Sequence, residues 1–456
     1  MQYSIGQHIR QTSILALPVA IGQLGHVMLG VADSIMVGRL GEVPLAAASL
    51  GHSIFVLLMV FAVGICGAIT PLTAIADGRD DPDQAGIVFR QGLLVNTVIA
   101  VLLVLVAWVL ADTLSLMKQP PAVVSEAIPY LRIMGFSFIP MMMFFSLRNF
   151  IEGLSFTKPA MVIMLLANLV NVFGNWVLIY GKFGLPALGL TGAGYSSLMV
   201  ELFSVTALLL YVIRSRHFRR FQPLLRYRGI NRPVISRLLR LGLPSGMQYL
   251  FEAGSFTFSA IMMGWLGATA LAAHQIALNL ASVTFMVTLG IAHAATIRVG
   301  NAFGKGNGIA LRRAGFAAVL MGMSLMAVAA LTFIVLRHVL PTLYIDDPAV
   351  IALASQLLIL AALFQLSDGM QVVGHGILRG ITDVTIPMLI AMVAYWGIGI
   401  PVGYYLAFVA GWGPEGVWMG FVAGLTTAAL CFVFRFHILS RRIITTITGF
   451  RDPERL

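Results

Sequence analysis

Two acids lie deep inside apolar sequence. Glu252 stands in QYLFEAGSFTF and Asp368 in FQLSDGMQVVG. An ionisable side chain within a membrane-spanning run costs ~2.5–3.5 kcal/mol on insertion scales and is a functional candidate for that reason. Glu252 is twelve residues past Arg240, and Asp368 is eleven residues before Arg379. At ~1.5 Å per helical residue these separations are about 18 and 16 Å, close to the midplane of a bilayer. A carboxylate at such a depth holds a metal ion, a proton or an organic cation. The plainer reading is a neutral or hydrogen-bonded packing group.

A second set of polar groups belongs to the first half of the chain. Asp33, in GVADSIMVG, lies about 35 Å along a helix from Arg10, nearer the outer surface. Asn168, Asn171 and Asn175 share one apolar run, and Asn171 and Asn175 are four apart and so project from one helix face. Amide oxygens with a carboxylate suit a hard cation. The same amides also read as polar ties between helices. Glu201 follows Ser197 by one turn, and helix pairing competes with a functional role for it. His26 precedes Asp33 by two turns and is a candidate proton relay, with simple packing as the alternative.

The second half adds Gln275 and Asn279, also four apart, with Phe364 one turn before Asp368 and Phe285 in the neighbouring run. Aromatic faces near carboxylates can hold an organic cation. Methionine runs such as Met141–Met143 and Met262–Met263 offer an adaptable apolar wall, or ordinary core.

The elements that position these groups are membrane helices. Of the 456 residues 59% are hydrophobic and only 10% charged, against about 25% charged in soluble domains. Apolar runs of helix-spanning length recur throughout, and we read twelve spans. Long, mostly unalternating runs argue against a barrel. Positions 15–78 and 241–304 align without a gap, 226 residues apart, and share 18 of 64 residues. The chain is therefore duplicated, with LALP…MVGRLG answered by LGLP…MMGWLG. Later echoes are GLSFTKP from Gly153 and GITDVTIP from Gly380.

The expected fold is all-α and integral to the membrane. Twelve transmembrane helices form two six-helix lobes, related by a pseudo-twofold along the membrane normal. The expected organisation is a lobe over 1–213, a basic cytoplasmic linker over 214–234 and a second lobe over 235–456. The aligned copies differ where charge stands: His26 faces Glu252 in the alignment, and Asp33 faces Ser259.

Charge sets the orientation. With both termini cytoplasmic, Arg39, Lys118, Arg132, Lys182 and Arg337 fall outside, and the other 24 of 29 Lys and Arg fall inside. The net charge of +11 is thus a topology signal, and the nine arginines from Arg214 to Arg240 suit anionic lipid rather than nucleic acid. The first eleven residues, which carry His8 and Arg10, are expected not to be a removable signal peptide. Cys66 and Cys431 read as small hydrophobes. No Walker A loop or catalytic constellation is present, so the chain is expected not to be an enzyme and to draw on an ion gradient.

Across nearly its whole length the chain resembles a multidrug and toxic compound extrusion (MATE) transporter of the bacterial NorM-like branch. The paired LALP and LGLP segments, LAA and LAAHQ, Glu252, Asp368 and GHGILRG carry the resemblance together. It implies a bacterial inner-membrane antiporter, taken as a monomer. The antiporter exports cationic amphiphilic drugs and dyes against inward Na+ or H+ through a cavity between lobes that opens alternately; no other cofactor is implied. It casts Glu252 and Asp368 as cation and coupling-ion carboxylates. It maps a Na+ site onto Asp33, Asn171, Asn175, Ala193 and Ser197. Family members often carry Asp where this chain has Asn175, so one negative charge is missing here, and Glu201 is outside the pattern. The alternative within the wider superfamily is a lipid-linked saccharide flippase. Its phosphate cargo would ask for interior cations, which are scarce here.

Overall fold

The computed structural model describes residues 5–117, 119–221 and 229–449. Lys118, and residues 222–228 of the basic run, lie outside the described residues. Among those described there are helices and no strands. The amino-terminal half contributes α1 (Ile5–Gly38), α2 (Glu42–Cys66), α3 (Ile69–Gly78), α4 (Pro82–Thr113), α5 (Pro121–Phe136), α6 (Phe138–Gly153), α7 (Lys158–Tyr180) and α8 (Gly189–Arg214). The carboxy-terminal half contributes α9 (Arg232–Leu266), α10 (Ala268–Gly304), α11 (Gly308–Leu336), α12 (Pro348–Gly380), α13 (Thr385–Met392), α14 (Ile400–Tyr404) and α15 (Pro414–Gly449).

Eleven of the described helical stretches are long and apolar enough to cross a membrane. Several are two elements in line: α2 runs into α3, α5 into α6, and α13 into α14 through a π-helical turn at Val393–Gly399. The twelfth expected span corresponds to α9, which has the length, 35 residues. It falls short on composition because Arg237, Arg240, Gln248 and Glu252 dilute its apolar residues.

Helix starts are written locally, and twice. Asp81 caps α4 by accepting from the Gln84 backbone N–H at 2.9 Å, with Pro82 as the first helical residue. Its repeat partner 226 residues on, Asn307, caps α11 through the Ala310 N–H, also at 2.9 Å. Each side chain satisfies one of the donors that a helix leaves open at its start. The turns before α2 and α10 use Gly41 at φ 121° and Gly267 at φ 119°, a region that side-chain-bearing residues rarely enter.

By contact the chain divides into two compact units: Ile21–Gly246, and Met1–Ala20 together with Met247–Leu456. The divisions fall two residues after Pro18 and Pro244, which interrupt the hydrogen-bond ladders of α1 and α9. The first turns of α1 therefore belong with the carboxy-terminal unit, and those of α9 with the amino-terminal one. Close backbone approach explains the small residues there. A Cβ on Gly64 would lie 2.5 Å from the Gly246 Cα, and one on the equivalent Gly290 would lie 2.8 Å from the Ala16 carbonyl oxygen.

Interior hydrogen bonds repeat as well. Thr70 Oγ donates to Asn149, at 2.9 Å to its side-chain oxygen. Thr296 Oγ, its counterpart, donates to the Gly376 carbonyl at 2.8 Å. Within the carboxy-terminal unit α12 is central and packs against α10, α11 and α15.

Candidate functional site

In the carboxy-terminal unit α9 delivers Glu252 and α12 delivers Asp368. Both are buried, and they lie close enough for their charges to act on one another. The Asp368 Oδ2 has no hydrogen-bond partner among the described residues. Gln371, one turn beyond Asp368, places its amide beside Glu252. Tyr395, from the π-helical turn, is buried within reach of both carboxylate fields. A π turn adds one residue to the local repeat and re-aims the side chains around it, which is why such turns collect at functional sites.

The wall is aromatic. Phe364 packs against Phe256, Trp418 and Phe421, with centroids 6.2, 5.8 and 6.1 Å away. Phe285 joins Glu252 in lining a small cavity of about 10 Å³. Two carboxylates within an apolar and aromatic enclosure favour a positively charged guest, because a cation or a proton removes the cost of keeping negative charge out of water. Gln275 and Asn279 are exposed on α10 and hydrogen-bond each other at 3.3 Å rather than either acid.

In the amino-terminal unit the structure gathers a different site. Asn171 and Asn175 on α7 donate to the same Asp33 oxygen at 2.9 and 2.6 Å. Ser197 on α8 approaches the other oxygen at 3.5 Å and donates to the Ala193 carbonyl at 3.1 Å. The group that the resemblance implied, Asp33, Asn171, Asn175, Ala193 and Ser197, is thus brought together. The amides present N–H groups to the carboxylate, however, so its one negative charge is already held by donors. A metal ion would need those amides turned to offer oxygens. Asn168 is elsewhere employed, tying α7 to the Gly25 carbonyl of α1 at 2.9 Å.

His26 packs edge-on to Phe145 at 6.3 Å, and its charged surroundings are Arg148 and His52. His52, on α2, is the histidine within reach of Asp33. Glu201 is half-buried on α8 and has no hydrogen-bond or ion-pair partner among the described residues. Neither it nor Asp33 enters the other's electrostatic surroundings, so Glu201 does not replace the charge absent at Asn175. The sequence reading passed over Tyr395, Gln371 and the buried ion pair of Arg148 with Glu152 at 2.7 Å. Helical spacing could have found the last two: Gln371 is three residues past Asp368, and the pair is spaced i, i+4.

Fold and site together define a duplicated, polytopic helical membrane protein of the transporter class. The MatE family model matches twice, over residues 18–177 and 244–405, so its two copies begin at the Pro18 and Pro244 that the internal repeat aligns. The chain is 37% identical over 441 residues to a probable multidrug resistance protein NorM of Rhizobium meliloti, covering 96% of this chain and 94% of that one. A NorM protein of Xanthomonas axonopodis is 36% identical, with 96% of each chain covered. Among solved structures, a MATE protein in a bent conformation superposes with a TM-score of 0.89 at 19% identity, over 98% of this chain and all of that one. A eukaryotic MATE transporter gives 0.85 at 21%, over 97% and 99%. The chain belongs to the MatE family, and its relatives are multidrug resistance proteins rather than enzymes.

Proposed function

We propose that this protein is a multidrug efflux antiporter of a bacterial inner membrane, with both termini cytoplasmic. It exports cationic amphiphilic compounds in exchange for inward H+ or Na+. The observation that carries the reading is the buried pair Glu252 and Asp368 beneath the aromatic wall of Phe364, Phe256 and Trp418. A drug cation and a coupling ion neutralise the same carboxylates, so each disfavours the other. If the site opens alternately to the two membrane faces, that competition becomes exchange, and unequal affinities in the two states give direction. The kinship with multidrug resistance proteins supports the substrate class.

The test is ethidium efflux from proteoliposomes, first under a Na+ gradient at fixed pH and then under a pH gradient without Na+. Glu252→Gln and Asp368→Asn are expected to abolish gradient-driven efflux while the protein remains in the membrane. Full export by both variants would overturn the assignment. Transport of a lipid-linked saccharide without drug efflux would favour a flippase.

A further inference from the structure

Below the carboxylates, one face of α12 carries a run of polar side chains that the exchange mechanism does not use. Asp368, Gln371, His375 and Arg379 follow one another at helical spacings of three, four and four residues, so they form a column. All four are buried. Each has an atom without a hydrogen-bond partner among the described residues: Asp368 Oδ2, Gln371 Oε1, His375 Nε2 and Arg379 Nε. The cavity of about 10 Å³ runs beside this column, lined by Glu252, Gln371, His375 and Arg379. That volume holds about one water, and its polar lining supplies the partners such a water needs.

The same positions in the amino-terminal unit are closed. By the repeat that aligns Gly153 with Gly380, Arg148 is the counterpart of His375 and Glu152 the counterpart of Arg379. Those two are locked in an ion pair, with Arg148 also within 3.5 Å of the Gln23 side-chain oxygen. Tyr249, the counterpart of Gln23, instead meets His375 edge-on at 6.1 Å. One copy of the fold thus carries an ion pair, with the second Glu152 oxygen unpartnered among the described residues, where the other carries an imidazole with an open nitrogen beside a cavity.

The geometry points to a proton path along α12, from the Glu252–Asp368 pair through Gln371 and one cavity water to His375, emerging at the Arg379 end. This rests on the antiport reading above and deepens it. A proton leaving a carboxyl group passes to the water and on to one ring nitrogen of His375. The other ring nitrogen gives up a proton to solvent water beyond the Arg379 end, Arg379 itself staying protonated, and the carboxylate is left charged. The groups facing His375 are Tyr249 and Glu252 from α9, Arg379 on its own helix and Phe432 from α15, while α10 contributes apolar lining. The fixed guanidinium repels a metal ion on the same route, whereas a proton moves by hopping between partners. Thr296 Oγ accepts from Arg379 Nη2 at 3.5 Å, and no carboxylate pairs with this arginine among the described residues.

The test uses the full chain in proteoliposomes under a pH gradient, with ethidium binding measured separately at fixed pH. His375→Ala is expected to slow gradient-driven efflux by roughly tenfold or more, the scale of losing a positioned proton carrier. Ethidium binding should stay unchanged, and added imidazole should restore turnover. A structural role for the ring would not give rescue by a freely diffusing base. Wild-type rates in His375→Ala, or a slowed variant that imidazole leaves unchanged, would overturn the path while leaving the antiport reading intact. Wild-type protein that runs on a Na+ gradient and ignores a pH gradient would also overturn the path. Wild-type protein that moves no drug under either gradient would instead sink the antiport reading itself.

Discussion

At matching points of the duplicated fold, the amino-terminal unit holds His26, Arg148 and Glu152 where the carboxy-terminal unit holds Glu252, His375 and Arg379. The backbone around them is held in the same way twice, through Thr70 with Asn149 and Thr296 with Gly376. The electrostatics differ. In the amino-terminal unit two of the buried charges are answered locally, Arg148 by Glu152 and Asp33 by two amide donors, while Glu201 stands apart from both. In the carboxy-terminal unit two acids share one enclosure with no basic partner within ion-pair distance among the described residues. A buried charge that is already satisfied is a structural element. One that is not satisfied must recruit its counter-charge from outside, and a transporter turns over by doing so.

That contrast can be broken at several points. Glu252→Gln or Asp368→Asn should bring gradient-driven ethidium efflux down to that of protein-free vesicles. Removing half of the closed pair should instead be a stability lesion. Glu152→Gln leaves Arg148 buried without its partner, expected to cost about 3–5 kcal/mol and to show as a lowered Tm of the purified protein. Replacing both members together, as Arg148→Met with Glu152→Leu, should recover most of that loss. If the double variant is as unstable as the single one, the pair does more than satisfy itself.

Asp33→Asn removes a charge that two amides hold, at about 1.5–3 kcal/mol for each charge-assisted bond. Efflux should fall several-fold and remain coupled. Abolished coupling in Asp33→Asn would place the exchanging charge in the amino-terminal unit and reverse the comparison. The smallest effect is expected for Ser197→Ala. Its 3.5 Å approach to Asp33 is long for a hydrogen bond, so transport within about twofold of wild type is expected, the scale of a few tenths of a kcal/mol.

Much of the fold was legible because it is written twice. Pro18 with Pro244, Gly41 with Gly267 and Gly64 with Gly290 announce a duplication, and apolar runs of spanning length announce membrane helices. The crossover after each proline was not legible. Ala20 and Gly246 look like any small residue in an apolar helix, and the contacts that give them meaning come from far along the chain. The π turn at Val393–Gly399 was hidden as well, since an apolar helix and an apolar π turn have the same composition. The family resemblance, not residue spacing, grouped Asp33, Asn171, Asn175 and Ser197, and sequence could not say which way the amides point. His375 enters the sequence reading only within GHGILRG, a stretch that carries the family resemblance. Its place seven residues beyond Asp368, on the same helical face, was the signal that mattered.

The crossing of the first helix also sets an order of events during synthesis. The opening turns emerge first, yet Arg298, the residue that grips the His8 carbonyl and the Thr12 hydroxyl, follows 290 and 286 residues later. The early segment must therefore wait, inserted but without its final neighbours, until α10 has been made. Meanwhile Ile21–Gly246 closes once the start of α9 arrives. Deleting the first twenty residues should thus leave the earlier-made unit able to assemble and injure the one made last.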